Sequence, residues 1–228
     1  MTVQPAGPCV YIVDDDRHVL TALSRLLSSA GYSVRAFDSP VDFLREHDPE
    51  VLGCAILDVG MSEVDGLALQ ESLVRQDHHR PIIFVTGHDD ANTGVRAIKA
   101  GALEYLTKPT PDTVLLAAVA NAIDIDIEGR RQRGELRKLR RMYSRLTARE
   151  VEVLRLVARG LMNKQIAFEL GIVEKTVKVH RARAMQKLQV HSLAALIRVA
   201  DKLGISAPER THVERPGEHA SQHETPAE

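Results

Sequence analysis

The sequence predicts an α/β domain, a doubly wound five-stranded parallel sheet, followed by an all-α domain of four helices built around a helix-turn-helix. Three observations carry this expectation. Short apolar runs alternate with amphipathic helical stretches five times within the first 122 residues, the pattern of consecutive βα units. Several of those runs stop abruptly on carboxylates, a hydroxyl or a lysine, as strands do when their carboxyl ends line a site. Residues 145–204 instead hold four short helical stretches with cap residues and a tight glycine-containing turn. A chain of 228 residues accommodates two modest domains of this kind.

The first strand, Cys9-Val10-Tyr11-Ile12-Val13, runs into Asp14-Asp15-Asp16. Residues 17–30 form a helix with Val19, Leu20, Leu23, Leu26 and Leu27 on one face and Gly31 as its stop. A short strand covers 33–37. Ser39-Pro40 opens the next helix, with serine as cap and proline in the first turn, and Val41, Phe43 and Leu44 as its apolar positions. The third strand leads through Cys54-Ala55-Ile56-Leu57 to Asp58. A carboxylate is too costly in a dry strand interior, so Asp58 belongs at the strand's carboxyl end, facing solvent. Asp65-Gly66 closes the following loop and is placed to cap a helix over 67–75. The strand over 81–85 ends in Thr86-Gly87, and a helix covers roughly 90–100. The strand over 103–106 ends in Thr107-Lys108-Pro109, and a helix over 112–123 completes this half.

Ligands of doubly wound sheets bind at the carboxyl edge of the strands. Asp14, Asp15, Asp58, Thr86 and Lys108 therefore share one site. Acids without cysteine or a histidine pair suit a hard cation held by oxygens, most simply Mg²⁺. Asp15 and Asp58 are its expected direct ligands, the Gly60 backbone carbonyl a third, with Asp14 orienting Asp15 or acting through a bound water. Such a cation screens the acids and lets Asp58 approach an anionic phosphoryl group as nucleophile. Lys108 and the Thr86 hydroxyl then contact the phosphoryl oxygens. Phosphoryl transfer needs mostly positioning and charge neutralisation, and this inventory supplies both. Neither a dinucleotide-type glycine fingerprint nor a P-loop follows any strand, which removes the main support for those ligands.

In the second half, Thr147 and Glu150 form a capping-box pattern ahead of Val151, Val153, Leu154 and Val157, and Gly160 ends that helix. Asn163 is expected to cap a helix over 164–170, with Ile166, Ala167 and Leu170 inward and Gly171 as stop. A helix over 174–188 places Val177, Ala184 and Leu188 on its inner face. Ser192 caps the last helix, in which Leu193, Leu196, Ile197 and Ala200 pack. The second helix of a helix-turn-helix lies in the DNA major groove. With its inner face so assigned, Lys178, Val179 and Ala182 point outward; Lys178 can donate to guanine and Val179 can touch a thymine methyl. Lys164, Lys175, Thr176, Arg181 and Arg183 are expected at phosphates, which set register without reading sequence.

Charge separates the two halves. Residues 1–122 carry 17 acids and 9 bases, whereas residues 130–205 carry 19 bases and 6 acids. Only the second half is therefore suited to a polyanion. Residues 124–143 are highly charged and read as a partly helical linker. From Ser206 onward the chain has little beyond Pro, Glu, His, Thr and Ala, a composition expected to be disordered. No apolar run reaches membrane-spanning length and the N-terminus has no signal pattern, so a cytoplasmic protein is expected. Cys9 and Cys54 both fall in buried strands and read as small core residues of a reducing compartment.

The order Asp14-Asp15, Asp58, Thr86-Gly87, Lys108-Pro109 resembles the receiver domain of bacterial two-component response regulators. The series Thr147, Glu150, Gly160, Ile166-Ala167, Thr176-Val177, His180 resembles the helix-turn-helix of the LuxR/NarL class, which makes the whole similar to the FixJ branch. The resemblance implies a CheY-like (flavodoxin-like) sheet of order 2-1-3-4-5, with a receiver over 1–122, a linker over 123–143, a DNA-binding domain over 144–205 and a tail over 206–228. It implies that Asp58 is the phospho-acceptor, Asp14 and Asp15 the acidic pair, Thr86 the switch hydroxyl, Tyr105 the switch aromatic and Lys108 the receiver lysine, with a cis Lys108-Pro109 bond. Lys178, Val179 and Ala182 match the family's base-reading positions. The partners implied are a sensor histidine kinase, promoter DNA, a second copy of the phosphorylated chain and RNA polymerase, with no membrane. Two departures stand out: Met61 is followed by Ser62 where the family usually has Met-Pro, and Gly94 lies inside the fourth helix, which helps form the family's dimer face and usually carries a better helix former there. A hydrolase built on the same nucleophile would need an acid two residues after Asp58, where Gly60 stands. A receiver-like domain without phosphorylation is the other alternative, kept open by Ser62. RNA binding lacks an aromatic platform.

Overall fold

Nearly every residue of the central strands is buried, because helices cover both faces of one parallel sheet. The computed structural model describes residues 7–61, 65–75, 79–87 and 90–205. They fall into two units, divided between Gly134 and Glu135. In the first, strands β1 (Cys9–Val13), β2 (Ser33–Phe37), β3 (Gly53–Leu57), β4 (Ile82–Thr86) and β5 (Glu104–Thr107) pair in the order β2-β1-β3-β4-β5. This is the order that the resemblance implied.

Alternate residues of each strand feed opposite cores. Tyr11, Val13, Ala55, Leu57, Ile82 and Phe84 meet the buried faces of α2 (Pro40–Glu46), α3 (Gly66–Arg75) and α4 (Ala91–Lys99). Val10, Ile12, Cys54, Ile56, Ile83 and Val85 meet α1 (Arg17–Ser29) and the first turns of α5 (Asp112–Tyr143). Cys9 and Cys54 lie in these two different cores, on opposite faces of the sheet, and stay free thiols; burial pushes the Cys54 thiol up to about 12. Helix starts follow the cap residues: Ser39 accepts from the Val41 amide, and Asp90 accepts from those of Asn92 and Thr93. Of the apolar positions of the short α2, Phe43 is fully buried whereas Val41 is 55% exposed.

The largest difference from the sequence reading is α5, which continues without interruption to Tyr143 rather than stopping near Ile123. A cluster at the amino edge of the sheet anchors its middle. Asp126 is 2% exposed and accepts from the Gly53 amide at 3.0 Å and from Arg130 Nε at 2.7 Å. Arg130 also donates to the carbonyls of Pro49, Glu50 and Val51. Asp126→Ala strands a buried amide and removes the guanidinium's charge partner, and is expected to cost about 3 kcal/mol. A urea titration that leaves the midpoint unchanged would show the anchor to be unimportant; Asp126→Asn, which keeps an acceptor, should cost less.

The second unit contains α6 (Ala148–Ala158), α7 (Asn163–Leu170), α8 (Glu174–Lys187) and α9 (Leu193–Lys202) around one core that includes Val153, Leu154, Ile166, Val177, Leu188 and Leu196. The capping box is complete: Thr147 accepts from the Glu150 amide while the Glu150 carboxylate accepts from the Thr147 amide. Burial works against the Glu150 charge, but the Lys187 ammonium at 2.6 Å and the Thr147 amide outweigh it and hold the carboxyl below its ordinary range. Asn163 does not cap α7. Met162 is the cap residue, Gln165 accepts from its amide, and the Asn163 carboxamide oxygen instead takes a bond from Arg181 at 3.0 Å. Gly171 ends α7 in the left-handed conformation, φ 64°, which turns the chain towards α8. Leu193, expected to pack, is 48% exposed at the first position of α9.

Candidate functional site

The carboxyl ends of β1 and β3 are adjacent because these strands pair in register, Val13 opposite Leu57. The residues that follow them, Asp14 and Asp58, therefore come side by side. Both are nearly buried, at 3% and 8% exposed. Lys108, just after β5, reaches across the edge and lies between them, Nζ 2.6 Å from Asp14 Oδ2 and 3.0 Å from Asp58 Oδ1. Backbone bonds hold each group in place. The Lys108 amide donates to the Thr86 carbonyl at 2.8 Å, the Gly60 amide to Asp58 Oδ2 at 2.7 Å, and the Asp16 amide to Asp14 Oδ1 at 2.9 Å. The Lys108-Pro109 peptide is cis, as the resemblance implied.

Burial pulls the Lys108 ammonium down, but hydrogen bonds and charge from Asp14 and Asp58 together outweigh it and leave its pKa above the ordinary lysine value. Burial raises the Asp14 carboxyl, with the Lys108 bond only partly offsetting it. The result is a fixed positive charge set against two carboxylates at the mouth of the sheet. It compensates the acids, and it can move onto a newly arrived anion.

Asp15 is exposed beside this pair, and Thr86 ends β4 with no exposed surface. The site thus unites Asp14, Asp58, Lys108 and the β4 terminus, with Asp15 at the rim. Oxygen donors alone on adjacent strand ends fit a hard cation. Among the described residues no three acid, histidine or cysteine side chains form a metal cluster. A cation here would need a backbone carbonyl and water to complete its shell.

Tyr105 lies half-buried in β5, its ring 6.2 Å from that of Phe84. The other side of the ring rests on α4 at Gly94, where an added Cβ would approach Tyr105 Cδ1 to 3.2 Å. Gly94 therefore gives the tyrosine ring a seat on the helix backbone. Ser62, the other departure from the family pattern, lies outside the described residues, as does the tail over 206–228. Sequence reasoning missed one residue of the site. Gly66 begins α3 directly beneath Asp58, and a Cβ there would lie 2.1 Å from the Asp58 carbonyl oxygen. The Asp-Gly pair at 65–66 was the available signal, but it reads locally as a turn.

The second candidate surface is α8. Lys178, Val179 and Ala182 are exposed on it while Val177 and Ala184 are buried, as the inner-face assignment required. Lys164, Lys175 and Arg183 are exposed, and Thr176 and Arg181 half-buried. Arg181 is also occupied structurally, tying α8 to the start of α7 through Asn163.

A parallel sheet with an acid pair, a third acid and a lysine at its carboxyl edge, joined to a helix-turn-helix, defines a receiver-type signalling protein with a DNA-binding output. Comparison with known proteins agrees. Residues 10–120 match the response regulator receiver domain family, and residues 144–207 match the bacterial regulatory proteins of the luxR family. The chain is 43% identical over 198 residues to nodulation protein W of Bradyrhizobium diazoefficiens, covering 87% of each. It is 36% identical over 202 residues to the transcriptional regulatory protein FixJ of Azorhizobium caulinodans, covering 89% of this chain and 96% of that one. Among solved structures, the response regulator StyR is similar with a TM-score of 0.74 and 47% identity, over 86% of this chain and 100% of that one. The protein belongs to the two-component response regulators that pair a receiver domain with a LuxR-type DNA-binding domain, and its relatives are regulators of transcription.

Proposed function

We propose that Asp58 is the phospho-acceptor and that its phosphorylation by a partner histidine kinase switches DNA binding by the C-terminal unit. The bridging position of Lys108 is the observation that carries this reading. As the Asp58 oxygen forms its bond to phosphorus, the P–N bond of the phosphohistidine donor breaks and the freed imidazole takes up a proton. Asp58 then no longer offers Lys108 a carboxylate, and the ammonium shifts to the new phosphoryl oxygens. Asp15, Asp58, the Gly60 carbonyl and, through water, Asp14 would hold Mg²⁺, which neutralises the acids and the incoming phosphoryl group. Thr86 is drawn toward the phosphoryl group and Tyr105 follows on its Gly94 seat. The faces of α4, β5 and α5 then form a dimer contact, and two helix-turn-helix modules gain affinity through effective concentration. The receiver extends over 1–122, the linker over 123–143 and the DNA-binding domain over 144–205. Gly60, standing where a phosphohydrolase would carry its general acid, supports a switch over an enzyme. RNA polymerase is the expected downstream partner.

The test is the affinity of the full-length protein for selected promoter DNA, with and without acetyl phosphate and Mg²⁺. A gain of tenfold or more on phosphorylation is expected; equal affinity in both states would overturn the switch. At the DNA, Lys178→Ala should relax sequence preference, whereas Arg183→Ala should weaken binding to specific and scrambled duplexes alike and lower the salt slope by about 1. Salt titrations on both duplexes separate these outcomes.

A further inference from the structure

Helix α8, proposed to read DNA, carries a carboxylate in its first turn. Glu174 is the first residue of α8 and the only acid among Glu174–Lys187. Among the described residues of this unit, four other acids are paired elsewhere: Glu150 with Lys187, Glu152 with Arg149, Glu169 with Arg159 and Glu135 with Lys202. Glu174 instead pairs with Lys178 one turn along the same helix, Oε1 to Nζ 3.0 Å, and both side chains are substantially exposed. It does not cap the helix, whose cap residue is Val173. A solvated carboxylate on a surface built for a polyanion is repelled by phosphates and needs a compensating contact. The major groove offers one type of partner, the base amino groups, because a carboxylate can only accept.

We propose that Glu174 is a specificity-determining residue that accepts a hydrogen bond from a cytosine N4 amino group next to the guanine read by Lys178. This rests on the assignment of Lys178 to base reading. The spacing supports it: one helical turn rises about 5.4 Å and successive bases about 3.4 Å, so residues four apart reach bases one or two steps apart. At the same position a carboxylate repels guanine O6 and N7 and thymine O4, which makes Glu174 a filter as well as a contact.

The experiment is selection from a randomised duplex pool with the full-length protein pretreated with acetyl phosphate and Mg²⁺. Wild type, Glu174→Gln, Glu174→Ala and Lys178→Ala are selected side by side, and each is checked by thermal melting. Wild type should prefer cytosine at one position beside a guanine. Glu174→Ala should lose that preference by about tenfold with other positions unchanged, and Glu174→Gln, which can donate as well as accept, should move it toward adenine. Unchanged base preferences with affinity raised equally on all duplexes would overturn the proposal, leaving Glu174 as a repulsive charge only. A wild-type preference for adenine at that position would overturn the cytosine assignment. If Lys178→Ala changes the selected guanine while the Glu174 variants select the wild-type site, only the Glu174 proposal fails. If none of the three alters the site, base reading by this face of α8 fails with it.

Discussion

Asp58→Asn is expected to abolish phosphoryl uptake while leaving the receiver folded. The amide keeps the shape of the carboxylate, and its oxygen can still accept from the Gly60 amide now bonded to Asp58 Oδ2. Lys108 keeps its shorter bond, to Asp14 at 2.6 Å, so the variant does not leave a buried ammonium unpaired. What the variant lacks is the anionic oxygen proposed to attack phosphorus, since an amide oxygen is a poor nucleophile and the second heavy atom is now an NH₂ group. Intact mass after incubation with acetyl phosphate and Mg²⁺ should show one added phosphoryl group on wild type and none on the variant. Withholding Mg²⁺ should suppress the addition to wild type as well. A variant that still gains mass would move the acceptor to another carboxylate, Asp14 or Asp15 being the nearest choices. A wild-type protein that is folded but gains nothing would favour a receiver that does not use phosphorylation.

Gly66→Ala is expected to disable the same reaction without touching a reacting group. The new Cβ would sit 2.1 Å from the Asp58 carbonyl oxygen and 3.1 Å from Phe84 Cε1, where an ordinary contact needs more than 3.4 Å. Neither obstacle is the tip of a flexible chain. The carbonyl belongs to the backbone of Asp58 itself, and Phe84 is fully buried in the sheet. Relief therefore requires displacing the Asp58 peptide or the start of α3 by about 1 Å, a misplacement that can cost on the order of 100-fold in rate. Overpacking of this kind also costs about 1–3 kcal/mol of stability. The rate of phosphoryl uptake by a variant that melts cooperatively is the decisive quantity. Labelling at the wild-type rate would show that the loop absorbs the methyl group without moving Asp58. Gly66→Ser, with the same Cβ, should repeat the defect.

The two variants show how differently the site was legible. Asp58 could be found from sequence because a carboxylate ending an apolar strand has few places to go, and three other strands end in compatible groups. Gly66 could not, because its importance is the distance between two backbones that meet only when α3 packs beneath β3. The same distinction applies across the fold. Strand and helix positions were close to those observed, since hydrophobic period and cap residues are local signals. The continuation of α5 was missed because its apolar stripe thins after Ile123. The Asp126–Arg130 anchor bonds residues more than 70 positions away in sequence. The cap of α7 was misassigned because Asn163 has a better use, as acceptor for Arg181 eighteen residues on. Gly94 looked like a weak helix residue and proved to be the seat of the Tyr105 ring.

By itself the sequence determined the class of this protein: the parallel sheet, the acids, hydroxyl and lysine at one edge, and the basic helix-turn-helix that follows. Those features depend on residue type and on periods of two to four residues, which a linear chain displays directly. Only the tertiary structure decided that Lys108 stands between Asp14 and Asp58, that Gly66 lies against the Asp58 carbonyl, and that Glu174 accompanies Lys178 on the exposed face of α8. Each of these is a matter of a few ångströms between groups whose side chains have several rotamers. Packing, not composition, selects among them.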